Sequence, residues 1–174
     1  NGKKYCKNLK DNLLTNQIKK NSMSDYSDLQ REIKNHEGYS LNPYQLEYKN
    51  ADGEYIKENV FTGGYGHVLK KDEVAPTTEE GWEAIFQKDF NIALEGAEAL
   101  LQDCKNINPI AKEVIIEMCY QIGTFGVSKF KRLFQALAIP DYVLAAQEMT
   151  DSKWFVQTPS RANRMAIKMR NCTI

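Results

Sequence analysis

The residues best placed for acid–base chemistry are a glutamate at a predicted helix end and a glycine-rich run that begins 25 residues later. Glu37 precedes Gly38, and the later run reads Thr-Gly-Gly-Tyr-Gly-His over residues 62–67. A carboxyl at a helix C-terminus meets the negative end of the helix dipole, which favours its protonated form and suits a general acid. One acid facing a glycine-rich hairpin suits glycoside hydrolysis. The alternative is an ordinary surface glutamate before a C-cap glycine, because a Glu-Gly pair alone is too short to be specific.

Two elements must position this pair. Apolar spacing predicts a helix from about Asp25 to His36, with Gly38 just beyond its last turn, so Glu37 lies at the terminus. From 39 to 69, aromatic and β-branched residues alternate around an Ala-Asp-Gly turn at 51–53. That pattern predicts a hairpin or a three-stranded sheet.

The rest of the chain predicts helices. Thr77 and Glu80 have capping-box spacing, and a single apolar stripe then follows to about residue 103. Asn108-Pro109 predicts the start of a core helix that Gly123 ends, and Thr158-Pro159 predicts the start of the last helix. One helix, a small sheet, a long helix and a helical cluster give a mostly helical α+β protein with a cleft.

Two further motifs identify a family. Residues 120–123 read Tyr-Gln-Ile-Gly, and residues 154–164 read Trp-Phe-Val-Gln-Thr-Pro-Ser-Arg-Ala-Asn-Arg. Together with the first two motifs, in this order, they resemble the lysozymes of T-even bacteriophages from about Asp25 to Cys172. The resemblance implies a two-lobed fold with a small β lobe (about 37–76), a long linking helix (about 78–103) and a helical lobe (about 108–174). Residues 1–24 would be a basic N-terminal extension.

The resemblance also implies a reaction and its residues. It implies a muramidase that hydrolyses the β-1,4 bond between N-acetylmuramic acid and N-acetylglucosamine in peptidoglycan, by an inverting route and without a cofactor. Glu37 matches the family's catalytic glutamate, and Thr62 matches the threonine beside the attacking water. Arg161 matches an arginine near the catalytic glutamate, so it is expected to orient Glu37 and to belong to the substrate-binding site. Tyr120 and Gln121 match residues that line the cleft and bind substrate.

The second carboxylate departs from the family's pattern. The family has an aspartate six residues before its threonine and nine after its glutamate, and Ile56 and Leu46 stand there in this chain. The segment between is about ten residues longer, and its acids are Glu47, Asp52, Glu54 and Glu58. A longer hairpin would carry its tip away at ~3.3 Å per residue, whereas Glu47 would stay near the base. Glu47 is therefore the predicted second acid, with Asp52, or no second carboxylate, as alternatives.

The two histidines are expected to have different roles. His67 matches a family histidine that pairs with an aspartate, here Asp89, so a structural role is expected for it. His36 has no counterpart among the motifs, and we assign it no role, because it projects about 100° away from Glu37 on a helix.

Composition narrows the partners. The 174 residues carry no net charge, but residues 1–20 and 153–174 are basic and leave the middle acidic. The basic ends could attract an anionic polymer, yet they contain no nucleic-acid recognition motif, so peptidoglycan strands are the expected partner and nucleic acid is not. The sequence has no apolar run of 18 residues, so no membrane span is expected, and its polar, lysine-rich start does not predict a signal peptide. We expect a monomer.

The four cysteines, at 6, 104, 119 and 172, form no metal-binding motif, so we expect neither a metal nor another cofactor. Cys119 lies on an apolar stripe, and a pair between Cys6 and Cys172 stays open. The expected location is the host cytoplasm before release to the cell wall, or the virion. The alternative function is a catalytically weak glycan-binding or virion-associated structural module that keeps the fold.

Overall fold

A computed structural model describes residues 26–49 and 52–173. Within them, five short strands lie between residues 40 and 68, and seven helices make up most of the rest. The fold is α+β and mostly helical, as predicted. The chain divides into two units between Asn35 and His36, and the described part of the first unit buries Leu29. The predicted extension, 1–24, lies outside the described residues, and the predicted lobes stay a prediction.

The helices begin and end close to their sequence signals. They are α1 (Ser27–Glu37), α2 (Glu79–Leu100), α3 (Pro109–Val127), α4 (Lys131–Ala138), α5 (Tyr142–Thr150), α6 (Lys153–Gln157) and α7 (Pro159–Arg170). Glu37 is the last residue of α1, and Gly38 follows with a φ of 73°. The cap of α2 is Thr78, which accepts a hydrogen bond from the Gly81 amide at 3.2 Å, so the expected cap at Thr77 is wrong by one residue. Among the described helices, none is long and apolar enough to cross a membrane.

The strands form two antiparallel groups. They are β1 (Ser40–Tyr44), β2 (Glu47–Lys49), β3 (Tyr55–Lys57), β4 (Thr62–Gly64) and β5 (His67–Val68). The three-stranded sheet has the order β1-β4-β5, so the glycine-rich strand is its central member. The strands β2 and β3 form a separate two-stranded ribbon around the predicted turn, with Glu47 opposite Lys57. The segment between Glu37 and Thr62 therefore contains a separate pair of strands.

The core centres on α2 and α3. Trp82, Phe86 and Phe90 are buried along one side of α2. The helix α3 buries every residue from Val114 to Cys119, because it packs along α2. At position 123 its backbone leaves the helical region, with a glycine φ of 71° and ψ of 155°, so the predicted helix end is a kink before a short continuation. This kink follows the residues expected to line the cleft.

Candidate active site

Glu37 is held by an arginine from the last helix. Its Oε1 accepts a hydrogen bond from Nη1 of Arg161 at 2.6 Å, and the two side chains are 21% and 16% exposed. Arg161 lies in the first turn and a half of α7, whose start is fixed by Pro159. Partial burial makes such a charge-assisted hydrogen bond stronger than one in water. The expected contact between Arg161 and Glu37 is therefore present.

The second oxygen of Glu37 faces the glycine-rich hairpin. A Cβ added to Gly66 would lie 3.1 Å from Oε2 of Glu37, and Gly66 has a φ of 83°. This glycine ends the turn between β4 and β5, where its positive φ and its missing side chain are both required. The backbone of the hairpin thus reaches the carboxylate at the end of α1.

Thr62 begins the central strand and is only 6% exposed. It pairs with Tyr44 in β1 and with Val68 in β5. The packing of a tryptophan ring explains why the next two residues are glycines. A Cβ on Gly63 or on Gly64 would lie 2.5 Å from the ring of Trp82.

The indole of Trp82 also donates a hydrogen bond from Nε1 to the carbonyl oxygen of Leu41 at 2.9 Å. The strand that carries Thr62 is therefore seated on the first turn of α2. The sequence analysis identified the glycine-rich run but did not find the tryptophan that packs on it.

Tyr120 and Gln121 line a cavity of about 300 Å³. The hairpin contributes Gly66 to its wall and α2 contributes Asp89. The hydroxyl of Tyr120 donates to the carbonyl oxygen of Tyr65 at 3.0 Å, which ties α3 to the hairpin turn. Burial raises the pKa of Tyr120, with smaller contributions from Asp89 and Glu37, so the phenol stays a donor.

Gln121 is oriented by a tryptophan. Its Oε1 accepts a hydrogen bond from Nε1 of Trp154 at 3.1 Å. Trp154 is buried in α6, and its ring meets that of Phe130 edge-to-face at 6.1 Å. Because the oxygen is held by the indole, the position of the amide group in the cavity wall is defined. Both predicted substrate-binding residues of α3 thus lie in one cavity with the hairpin.

Glu47 lies apart from this group. It is the first residue of β2, its side chain is 49% exposed, and its Oε1 lies 3.3 Å from Nζ of Lys57 across the ribbon. Two residues separate it from Tyr44, the partner of Thr62, so it stands at the base of the ribbon as expected. Its role as the second acid stays a prediction.

His67 has the predicted partner and a second one. Its Nδ1 lies 2.7 Å from Oδ2 of Asp89, and its Nε2 lies 3.1 Å from Oε1 of Glu73. Glu73 also accepts a hydrogen bond from the Lys70 amide at 2.9 Å. That bond is the main cause of a lowered pKa of Glu73, to which the charge of His67 adds. His67 therefore bridges the hairpin, the loop after it and α2.

His36 also has a partner, which sequence reasoning missed. Its Nδ1 lies 2.9 Å from Oε1 of Glu117, a residue of α3 that is 2% exposed. The available signal was a charged residue within the apolar run of α3.

Cys119, in the cavity wall, is a buried thiol whose pKa is raised by burial to about 11, so it is a poor metal ligand at neutral pH. It is the small core residue that was expected.

The fold and this site define a class of protein. A carboxyl at a helix end, held by an arginine and facing a glycine-rich hairpin beside a cavity, is an arrangement suited to acid-catalysed glycoside hydrolysis. Comparison with known proteins supports the same class.

The chain is 37% identical over 106 residues to "Probable T4-type lysozyme 1" of Dictyostelium discoideum, which is 58% of this chain and 62% of the relative. It is 32% identical over 134 residues to "Probable T4-type lysozyme 2" of the same organism, or 73% and 77% of the two chains. It is 27% identical over 128 residues to "Peptidoglycan hydrolase gp36" of Pseudomonas phage phiKMV. This match covers 70% of this chain and 13% of the relative. The match thus spans less than two thirds of the first relative.

No family model matches the chain. The second of these relatives covers most of both chains at 32% identity, and the protein belongs to the T4-type lysozyme family.

Proposed function

We propose that this protein is a muramidase, which hydrolyses the β-1,4 bond between N-acetylmuramic acid and N-acetylglucosamine in peptidoglycan. The coarse class rests on the family, because its named members are lysozymes and a peptidoglycan hydrolase. The finer reaction rests on the site. The observation that carries it is the carboxyl of Glu37, held at 2.6 Å by Arg161 at the edge of the hairpin.

Glu37 serves as the general acid in this proposal. With Oε1 held by Arg161, Oε2 is the oxygen that carries the proton toward the glycosidic oxygen near Gly66. Proton transfer lets the bond between C1 and the leaving oxygen break as positive charge develops on the sugar ring. Tyr120 and Gln121 contact the sugars along the cavity, and Arg161 completes the substrate site.

Water completes the reaction from the opposite face. In the inverting route, it attacks C1 near Thr62 and gives a proton to a carboxylate. Glu47 is the proposed base, although its position in the ribbon and its pair with Lys57 mean that the ribbon must approach the substrate for the transfer. Positioning by Thr62 without a second carboxylate is the alternative.

The proposed setting is bacterial lysis. The partner is the peptidoglycan strand, and the protein acts as a monomer without a cofactor. In the phage setting it lies in the host cytoplasm before release to the wall, or is carried by the virion. Relatives in Dictyostelium discoideum show that the family is not confined to phages, so the chemistry is best tested on isolated walls.

The decisive experiment is digestion of purified peptidoglycan by the wild type and by Glu37→Gln. We expect the wild type to release reducing ends and Glu37→Gln to lose at least ~100-fold in turnover, because the substitution removes the donated proton at nearly constant shape. Glu98→Gln is the control, since Glu98 is an exposed glutamate on α2 paired with Lys112. Activity of Glu37→Gln within threefold of the wild type would remove Glu37 from the mechanism.

The products separate the competing activities. A mass spectrum of the digest shows hydrolysed disaccharides for a muramidase and anhydro-sugars for a transglycosylase. The catalytically weak glycan-binding or virion-associated module would sediment with the walls and release no reducing ends. Proton NMR of the fresh product distinguishes inversion from retention at the anomeric carbon.

A further inference from the structure

His36 and Glu117 form a contact that the proposed reaction does not use. The side chains are 14% and 3% exposed, and Nδ1 of His36 lies 2.9 Å from Oε1 of Glu117. The other carboxylate oxygen, Oε2, is buried and has no hydrogen-bond partner among residues 26–49 and 52–173. A buried carboxylate with one oxygen unsatisfied costs free energy of folding.

An apolar pair at positions 36 and 117 would cost less to bury than this contact. Its neighbours Ile116 and Met118 are fully buried, and the whole turn of α3 lies in the core. Replacing buried charged pairs by apolar side chains of similar volume is often neutral or stabilising. The stability of the fold therefore does not explain why a glutamate stands at position 117. The geometry of its contact with His36 offers a different explanation, which can be tested.

The contact lies where it can orient the catalytic carboxyl. His36 directly precedes Glu37, and consecutive side chains on a helix project about 100° apart. One residue is therefore anchored to Glu117 on α3 while the next is anchored to Arg161 on α7. Two anchors on adjacent residues therefore hold the side chains of His36 and Glu37 in place.

The same part of α3 forms the cavity wall. Tyr120 and Gln121 follow Glu117 by three and four residues, so they lie on the next turn of the same helix. The contact between His36 and Glu117 thus sets where Glu37, the next residue, stands relative to the residues that are proposed to bind the sugars.

We propose that His36 and Glu117 are positioning residues, which set the orientation of the Glu37 carboxyl relative to Tyr120 and Gln121. This inference rests on the proposed role of Glu37 as general acid. Displacement of a reacting group by 1 Å costs about 100-fold in rate, and a loosened helix end is a smaller change, so kcat should fall by at least ~10-fold when the contact is removed. KM should stay within about twofold, because neither side chain contacts the sugars in this scheme.

Two substitutions at position 117 separate positioning from stability. Glu117→Leu keeps the approximate volume but removes the acceptor, and Glu117→Gln keeps an oxygen that can accept from His36. Because Glu117→Leu leaves His36 without its acceptor, we expect this variant to melt lower than the wild type. We also expect it to lose at least ~10-fold in kcat per folded molecule, with Glu117→Gln within about threefold. Met149→Ala, which truncates a buried residue of α5, is the control that lowers Tm without this loss of kcat per folded molecule.

A matching pair of variants at position 36 tests the same contact if the variants at position 117 fail to fold. His36→Asn keeps a nitrogen donor close to the place of Nδ1, whereas His36→Leu has none. We expect His36→Asn to restore most of the kcat that His36→Leu loses.

A second measurement does not depend on hydrolysis. In a spectrum of protein with ¹⁵N-labelled arginine, the guanidinium resonances of Arg161, identified by their loss in Arg161→Lys, report its hydrogen bond to Glu37. We expect Glu117→Leu and His36→Leu to shift them toward the positions of an exposed arginine. If the wild type released no reducing ends, the proposed function would fail while this spectrum still decided the positioning. Unchanged Arg161 resonances together with kcat within twofold of the wild type, in folded Glu117→Leu or His36→Leu, would overturn the inference.

Discussion

Gly66→Ala tests whether the hairpin backbone shapes the catalytic carboxyl. A methyl group there would lie 3.1 Å from Oε2 of Glu37, on a residue with a φ of 83°. Gly53→Ala is a matched control, because Gly53 has a φ of 82° and a Cβ there would meet nothing within 4 Å. The left-handed conformation costs ~1–2 kcal/mol for alanine, partly offset by ~0.4–1 kcal/mol from the stiffer unfolded chain. Both variants should lose about 1 kcal/mol, or roughly 2–4 °C in Tm.

Their activities should differ. The methyl of Gly66→Ala forces the Glu37 carboxyl or the turn to move by a few tenths of an ångström, and a displacement of 1 Å costs about 100-fold. We therefore expect a ~10-fold or greater loss of turnover for Gly66→Ala and a change within about twofold for Gly53→Ala. Initial rates of reducing-end release, divided by the folded fraction from circular dichroism, measure both. Equal activities would refute the view that the hairpin fixes this carboxyl.

Other predictions concern the carboxylates around the hairpin. His67→Ala should lose ~1–3 kcal/mol of unfolding free energy, and a double-mutant cycle with Asp89→Ala should show coupling, whose absence would reject the pair. Because the pKa of Glu73 is lowered in the fold, its charged form stabilises the protein above the ordinary glutamate pKa, and this contribution disappears as the pH falls through the lowered value. Glu73→Gln should therefore lower Tm near neutrality and not at strongly acidic pH, and an equal loss at both would contradict this. Glu47→Gln should reduce turnover by at least ~100-fold while Asp52→Asn changes it little, and the reverse result would assign the second acid to the tip of the ribbon.

Local signals predicted the parts of the fold that depend on a few neighbouring residues. The glycine after Glu37 has the positive φ that a helix end requires, and Thr158-Pro159 does begin the last helix. The Asp-Gly signal predicted the pairing of β2 with β3, because a hairpin is specified by a few neighbouring residues. The short helix α6 was not predicted, since five residues are too few to show a helical period.

Contacts between distant residues were less predictable. The partner of His36 lies 81 residues away, and a charged residue in an apolar helix indicates only that some partner is needed. The Trp82 ring against the hairpin glycines and the Trp154 bond to Gln121 depend on how whole elements pack. The contact of Arg161 with Glu37 was anticipated only through the family resemblance.

The packing of Trp82 against the hairpin restricts the order in which substitutions at these positions can be accepted during evolution. Positions 63 and 64 have no room for a methyl group while position 82 is tryptophan, because a Cβ at either would lie 2.5 Å from the ring. A smaller residue at 82 would first have to open that space, at the cost of the hydrogen bond to Leu41. The three positions are therefore epistatic. A side chain at position 63 or 64 becomes tolerable only after the tryptophan has been replaced, so this part of the hairpin changes together with α2.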